Sequence, residues 1–553
     1  MKNIKLSIFI CSMLIITAVL SVTGEQLIIK TNDVIENNNV IIDEYSLPPP
    51  IHIDMVLEES ICRRMSVRYF TGQAVTDEEL STILWAAYGF TENGNRSIYN
   101  PDGTYSTIIY VIRNDATYKY VPEDHSLSLF KSGNYLYLGQ YTSPIKFGLV
   151  WDMDVESDEL RGMADIGMLA QNIYFNANAL NLGTITTGGG VNDLYELGIP
   201  SNEKPEIIMP LGHPSTPYDF TYDPRPGSNL PAIINNTNSL EDCINNRLIS
   251  DKWDNMTLTD VEKSQVIWSS YGYSYLFDNL NNKWHRTLPS AIGIYPFKIY
   301  AADQDGVYEY IPGTHSISTV IQGDRREEIN NTIESSDMWL ASATWIIFPF
   351  YNTNIYPQYL TWWYYENGAI INNVLLEATT LDLYANVIYD ISDKAGLRSA
   401  LGISSQTNLL PLSVIPVGNP YIFIPPNNPP GIPDISGPND GKIGKSYNYT
   451  FTSIDIDGDN ISYYIIWGDG DVIPWTDFQL SGNSYLDSHT WTEVGDYVIK
   501  AKAKDIYGNE SDWTEFEIKI SNPRNKISFN SSFGRFFEKF SIFQRILSLI
   551  AGY

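Results

Sequence analysis

The sequence predicts an α+β protein in which one α+β unit occurs twice in tandem, followed by a smaller all-β module. Three observations carry this. Two long stretches repeat each other in order. A proline-rich segment, Pro425-Pro426-Asn427-Asn428-Pro429-Pro430, follows the second of them. Beyond it, short apolar runs alternate with Asp-Gly and Gly-Asp turns. At 553 residues the chain exceeds what a single core organises. Its 43% hydrophobic and 13% aromatic content is that of a folded protein. A formal charge of −30 argues against a nucleic-acid partner, because phosphate backbones demand surplus Lys and Arg. A solvated acidic surface accounts for that charge.

Taken in order, residues 1–24 read as an export signal: Lys2 and Lys5, an apolar run over 6–20, then the small residues Ser21 and Gly24. An uncleaved membrane anchor is the alternative reading, and both put the rest of the chain outside the cytoplasm, secreted or at the cell surface. Cys11 falls within this segment, so only Cys62 and Cys243 are left to pair. The six His are scattered, no Cys/His cluster has metal spacing, and no metal site is expected.

The first repeat spans 50–215 and the second 240–420, joined by a Pro-, Asp- and Asn-rich connector over 216–239. ILWAAYGF (83–90) matches VIWSSYGY (266–273), and Thr76-Asp-Glu-Glu79 matches Thr259-Asp-Val-Glu262 at the same offset. Both are capping boxes, in which the Thr hydroxyl and the Glu three residues on satisfy free amides of a helix start. Leu80, Ile83, Leu84 and Ala87 then follow helical spacing, and Gly89 closes the helix. Further on, Tyr118–His125 parallels Tyr308–His315 as strands ending in turns. Gln171-Asn172 parallels Asn372-Asn373 within apolar helices, and Pro210-Leu-Gly-His213-Pro parallels Pro416-Val-Gly-Asn419-Pro. In the first copy Ile166, Ala170, Ile173, Ala177 and Leu180 form the buried stripe, and Gly183 is expected to end that helix. Gln171, Asn172, His125, His213 and His315 read as core or turn residues.

At these residues the chain resembles the nitroreductase family, and within it the SagB-type dehydrogenases. Arg64-Met-Ser66-Val-Arg68 is similar to that family's opening Arg-x-Ser-x-Arg. Leu288-Pro289-Ser290-Ala291-Ile-Gly293-Ile-Tyr295-Pro296 is similar to its Pro-Ser-Ala-Gly segment, with Ile292 inserted or replacing a small residue. The resemblance implies flavin mononucleotide (FMN) as cofactor. It places Arg64 at the phosphate end, Ser66 on the ribityl chain and Arg68 near the ring, a use of Arg that suits bidentate phosphate contacts. Separately, Gly188 and Gly189 of Thr187-Gly-Gly-Gly190 permit close backbone approach to a flat ring, and a plain turn explains those glycines equally well.

The family's sites lie between two subunits, so the resemblance implies two repeats packed as an intrachain pseudo-dimer in a monomeric chain. The copies depart from the pattern in complementary ways. The first keeps Arg64, Ser66 and Arg68, but reads Asn100-Pro-Asp-Gly-Thr-Tyr105 at the second segment. The second keeps Pro289-Ser290-Ala291, but reads Asn246-Arg-Leu-Ile-Ser-Asp-Lys252 at the first. One composite FMN site is expected, with its catalytic residues not assigned.

After the linker (421–430), residues 431–521 resemble a polycystic-kidney-disease (PKD) immunoglobulin-like sandwich through Asp455-Ile-Asp457-Gly-Asp459, Trp467-Gly-Asp-Gly470 and Gly495-Asp-Tyr497. The acidic run reads as a turn, with calcium the alternative. The tail (522–553) places Phe536, Phe537, Phe540, Phe543, Ile546, Leu547 and Ile550 at amphipathic helical spacing, for a membrane surface or for docking on the protein. Two functions stand against each other: an extracytoplasmic FMN-dependent oxidoreductase acting on a small molecule or peptide, and a non-catalytic surface interaction protein on a degenerate scaffold.

Overall fold

A computed structural model describes residues 34–36, 39–41, 44–224, 227, 229–333, 340–421 and 427–523. The export signal and nearly all of the amphipathic tail lie outside these residues. Contacts divide the chain into two compact units, 1–421 and 422–553.

The two halves of the first unit follow a similar order of elements. In its first half, β1 (Glu44–Ser46), α1 (Leu57–Arg63), α2 (Asp77–Tyr88), β2 (Thr107–Ile112), β3 (Ala116–Val121), β4 (Ser126–Ser132), β5 (Ile145–Asp152), α3 (Glu159–Ala179), β6 (Gly183–Thr184) and β7 (Glu203–Gly212) follow in order. The strands form an antiparallel sheet, β1-β4-β3-β2-β5-β7-β6. A connecting strand, β8 (Phe220–Tyr222), comes next. The second half then gives α4 (Leu240–Asn245), α5 (Asp260–Tyr271), the hairpin β9 (Tyr273–Asp278) and β10 (Lys283–Arg286), β11 (Phe297–Ala302), β12 (Gly306–Ile311) and β13 (Ser316–Gln322). It continues through α6 (Arg326–Asn330), β14 (Trp345–Asn352), α7 (Leu360–Thr380), β15 (Tyr384–Ala385), α8 (Lys394–Ala400), β16 (Leu409–Pro411) and β17 (Ile415–Gly418). Its sheet order, β13-β12-β11-β14-β17-β15, is that of the first half, with β16 added beside β14.

The local chemistry is repeated as well. Thr76 and Thr259 cap α2 and α5 with complete capping boxes. At the turns after β3 and β12, His125 and His315 adopt left-handed backbones, φ 46° and 44°. The His125 ring bonds Ser81 at 2.7 Å and Tyr120 at 2.9 Å, and the His315 ring bonds Ser264 at 2.8 Å and Tyr310 at 3.0 Å. Burial lowers the proton affinity of both rings, which therefore stay neutral spacers.

The helices α3 and α7 lie against each other and carry the common core, which draws on both halves. They touch backbone to backbone: a Cβ at Gly167 would run into the Tyr365 carbonyl, and one at Gly368 into that of Ala164. Amides ladder across the contact, Gln171 Nε2 to Asn373 Oδ1 at 2.9 Å and Asn372 Nδ2 to Asn172 Oδ1 at 2.9 Å.

The reading of α3 is corrected here, and the connector and cysteines gain detail. The helix α3 ends at Ala179, before Gly183; Asn181, at φ 56°, takes the left-handed turn and Gly183 begins β6. The helix is buried on every side from Gly162 to Asn178, because the second half covers the face that a stripe would leave exposed. The connector is partly structured: β8 pairs with β9, Tyr222 opposite Leu276, and Tyr222 packs on Tyr275 at 5.7 Å. Cys62 and Cys243 are both buried free thiols.

The second unit is all β among its described residues. Its sheets are β18-β20-β23 and β19-β25-β24-β21-β22, formed by β18 (Asp434–Ser436), β19 (Asp440–Lys442), β20 (Tyr447–Thr452), β21 (Ile461–Ile466), β22 (Val472–Ile473), β23 (Tyr485–His489), β24 (Gly495–Asp505) and β25 (Thr514–Ser521). Tyr449, Trp467 and Trp491 meet edge to face at its centre.

Candidate active site

A cleft of about 420 Å³ opens between the halves of the first unit. The first half contributes Arg68, Gln140, Tyr141, Met163, the 185–189 segment, Glu206 and Ile207. The second contributes Pro289, Ser290, Ala291, Ile292, Trp362 and Tyr365. The predicted Arg68, Gly188, Gly189, Pro289, Ser290 and Ala291 are therefore brought together on one wall system, across more than two hundred positions of sequence.

Backbone pairing explains how Arg68 arrives there. Ser66 forms a parallel bridge with Thr184, and Val67 N–H donates to Thr184 O at 2.9 Å, so the segment after α1 is held beside β6 with Arg68 directed outward. The Ser66 hydroxyl lies 3.4 Å from the Tyr174 hydroxyl of α3. The glycine segment leaves the sheet at the Thr187–Ile208 bridge. Gly190, at φ 76°, takes a left-handed turn that a Cβ would push into Asp193 and Gly139. On the opposite wall Ser290 Oγ accepts the Tyr295 N–H at 2.9 Å, folding 290–295 into a tight loop. Ile292 sits at its tip with φ 48°, a strained conformation for a β-branched residue, and is 72% exposed at the cleft mouth.

Arg64 does not line the cleft. It is 2% exposed, beneath the cleft, with Nε donating to Arg286 O at 3.4 Å, its guanidinium 5.5 Å from the Tyr174 ring, and Nη1 without a hydrogen-bond partner. Arg286 in turn stacks among Tyr271, Tyr273 and Tyr295 at 4.5, 4.6 and 4.8 Å.

The decay expected in the second copy is also only partial. The offset that relates Thr76 to Thr259 carries Arg64 to Arg247, Ser66 to Ile249 and Arg68 to Asp251. Ile249 bridges Ala385 in parallel, as Ser66 bridges Thr184. Arg247 keeps the place of Arg64, but its guanidinium is tied to Ser97 O and Arg96 O, both at 2.8 Å, and burial lowers its proton affinity to about 10. The Ser and the second Arg are the ones lost.

Direct contacts fill the corresponding place between the halves. Arg161 pairs with both Asp102 and Asp390, Tyr99 O–H donates to Asn386 at 3.0 Å, and Asn100 Nδ2 reaches both Asp165 oxygens at 3.1 and 3.2 Å.

Sequence reasoning missed Trp362, Tyr365, Glu206 and Glu366. Glu366 lies behind Ser290 on α7, fully buried. Its Oε1 accepts the Tyr271 O–H at 2.6 Å and its Oε2 has no hydrogen-bond partner. Burial pushes its proton affinity up to about 7, against the stabilising Ser290, Tyr271 and Arg286. The repeat held the signal for it: aligning Gly167 with Gly368 sets Glu366 against Asp165.

The Nitroreductase family matches residues 61–213 and the PKD domain matches residues 440–518. A protein of Methanocaldococcus jannaschii named as a nitroreductase is 32% identical over 184 residues, 29% of this chain and 91% of that protein. An NADPH-flavin oxidoreductase of Vibrio harveyi is 26% identical over 170 residues, 28% of this chain and 65% of that protein. A crystal structure of an Anabaena variabilis protein described as a nitroreductase shares the fold at a TM-score of 0.50 and 15% identity, covering 62% of this chain and 88% of that one. The chain belongs to the nitroreductase family of oxidoreductases and carries a PKD domain.

Proposed function

We propose that the chain is an exported FMN-dependent oxidoreductase with one composite flavin site, formed where its two repeats pack as an intrachain pseudo-dimer. The observation that carries this is the cleft itself: Arg68, Gly188 and Gly189 come from one half and Pro289, Ser290 and Ala291 from the other. The residues fit the cofactor. Arg64 holds a buried guanidinium nitrogen with no partner, a donor suited to an anionic group, whereas Arg247 spends its equivalent donors on carbonyls. The fold likeness to the Anabaena protein covers 62% of the chain, more than either half alone. The flavin named in the Vibrio relative points to the same cofactor.

In this reading Arg64 and Arg68 supply positive charge for the phosphate and the reducible ring, and Ser66 serves the ribityl chain. The 187–189 backbone and the Pro289–Ala291 wall clamp the ring from the two halves. Trp362, Tyr365, Met163 and Ile207 give the cleft its apolar lining and exclude water. Bound FMN supplies reversible hydride chemistry, and the protein supplies binding, orientation and electrostatics. The second-half motif at Leu288–Pro296 supports the SagB-type branch, and hence a heterocyclic peptide or related small substrate. Export rests on the basic and apolar start of the chain, with the PKD domain as a surface spacer.

The test is a visible absorption spectrum of the purified chain after reconstitution with FMN and removal of excess. Flavin bands that co-elute with protein are expected. Their absence would favour the surface-interaction reading.

A further inference from the structure

We propose that a second groove, at the C-terminal end of α2, is a docking site for an arginine-bearing peptide segment of a partner protein. The groove lies outside the flavin cleft, and the proposal does not depend on what that cleft holds.

The groove has a volume of about 600 Å³. Trp85 and Phe90 form its apolar side, and Glu92, Glu123, Asp124 and Glu241 its acidic side. The second half has a matching place. Trp85 Nε1 donates to Phe90 O at 2.9 Å, and Trp268 Nε1 donates to Tyr273 O at 2.7 Å. Pro122 and His125 line the first place, and Pro312 and His315 the second.

The two places differ in what covers the indole. In the second half only about 20 Å³ stays open. Tyr275 of β9 stacks on Trp268, with ring centres 6.2 Å apart and planes 23° apart, and Pro224 of the connector lies in the same place. Trp268 is left 2% exposed. Trp85 is only half-buried, and among the described residues no aromatic ring stacks on it. The chain's own polypeptide thus covers the second indole and leaves the first one open.

The charges change together with the covering. The offset that relates Trp85 to Trp268 sets Glu92 against Tyr275. The offset that relates Pro122 to Pro312 sets Glu123 and Asp124 against Gly313 and Thr314. The open groove therefore carries three carboxylates where the filled one carries none. An open indole beside carboxylates suits a guanidinium, which stacks flat on the ring and bonds carboxylate oxygens through its fork. The groove wall already holds one such contact: Arg96 lies 4.3 Å from the Phe90 ring centre and pairs with Glu123 at 2.7 Å. His52 pairs with Glu241 at 2.9 Å. Glu92 and Asp124 form no ion pair among the described residues, so two carboxylates of the groove are uncommitted. The occupant is a peptide because polypeptide fills the matching place, and because about 600 Å³ takes in more than one cationic head.

The experiment is titration calorimetry of the full chain with the peptide Ac-Ala-Arg-Ala-Arg-Ala-NH2 at physiological ionic strength. Saturable binding of one peptide per chain is expected, weakening with added salt and lost when citrulline replaces both arginines. Glu92→Gln combined with Asp124→Asn should weaken binding by about threefold to tenfold, the effect of losing two partly exposed charge contacts. Glu123→Gly combined with Asp124→Thr, which installs the second half's residues, should weaken it similarly. Glu493→Gln combined with Glu517→Gln removes the same charge from exposed positions of the PKD domain and should bind as the unmodified chain does. Absence of saturable binding overturns the proposal. Equal weakening in the groove variants and in the PKD variant also overturns it, since the net charge of −30 would then account for the binding. Spermine binding as tightly as the peptide, with the same sensitivity to the groove variants, would make this a small-cation site and overturn the peptide as its occupant.

Discussion

Arg64 and Arg247 occupy the same place in the two halves and have opposite fates. Each guanidinium is buried and each reaches a main-chain carbonyl of the opposing half, Arg286 for Arg64 and Arg96 with Ser97 for Arg247. Arg247 is bonded through both terminal nitrogens; Arg64 keeps Nη1 unbonded beside Tyr174. Arg247 is a structural cross-tie with only Nε unbonded, and Arg64 has a terminal donor to spare. Arg64→Ala should therefore weaken FMN binding by about ten- to a hundredfold, the effect of losing a charged hydrogen bond of roughly 1.5–3 kcal/mol. Ser290→Ala, losing a neutral hydroxyl of roughly 0.5–1.5 kcal/mol, should weaken it by about tenfold or less. Arg247→Ala should leave FMN affinity unchanged in the folded protein while lowering stability by roughly 1–3 kcal/mol, because two carbonyls lose their partner. Flavin fluorescence quenching measures the affinities and circular dichroism the folding. An Arg247→Ala protein that folds but binds FMN poorly, next to an Arg64→Ala protein that binds normally, would place the site in the other half.

Among the elements, the α3–α7 contact decides whether the two halves act as one body. Gly167 and Gly368 let the helix backbones touch, and each lies where a Cβ would meet a carbonyl of the other helix. Glycine inside a helix costs about 1 kcal/mol relative to alanine, so Gly167→Ala on an unpacked helix would stabilise. Overpacking a tight contact costs roughly 1–3 kcal/mol, and here two backbones would have to part. Gly167→Ala and Gly368→Ala should both be net destabilising, read as a lower urea midpoint of the helical signal at 222 nm, which comes from the first unit alone among the described residues. A higher midpoint for either would show that the crossing is loose. Much of this level was legible beforehand. The capping boxes at Thr76 and Thr259, the left-handed turns at His125 and His315 and the period-two strands of the PKD domain are set by local chemistry, and local chemistry is what a sequence displays. The amide pairs Gln171–Asn373 and Asn172–Asn372 were visible only as repeated letters, since their partners lie some two hundred residues away. The β8–β9 pairing and the burial of α3 on all sides depended on what the second half brings against the first. No single-strand or single-helix pattern encodes that.

For the molecule as a whole, the question is how many cofactors a doubled scaffold holds. The proposed pseudo-dimer has two equivalent places between the halves, and their contents differ. One is the cleft with Arg68, the glycine segment and the Pro289–Ala291 wall. In the other, Ile249 stands for Ser66 and Asp251 for Arg68, and Arg161 bridges Asp102 and Asp390 across the gap. In the proposed site Arg68 serves the reducible ring, so an aspartate in its place opposes the negative charge of a reduced flavin, and the Arg161 charge is already matched by two carboxylates. Reconstitution should therefore saturate at one FMN per chain, counted from flavin absorbance after denaturation against protein concentration by amino-acid analysis. Arg161→Ala removes the bridge but neither Ile249 nor Asp251, so the count should stay at one and the loss should appear as lower stability. Both carboxylate pairs are partly exposed, and exposed pairs contribute roughly 0.2–1 kcal/mol each, so that loss should be small. Two FMN per chain in the unmodified protein would disprove the single composite site, and a second FMN appearing only in Arg161→Ala would mean that the ion pairs alone close the other place. If the Ser and Arg lost from the second copy are what closed it, neither result will occur, and binding of the single flavin will weaken only when Arg64, Arg68 or the Ser290 wall is altered.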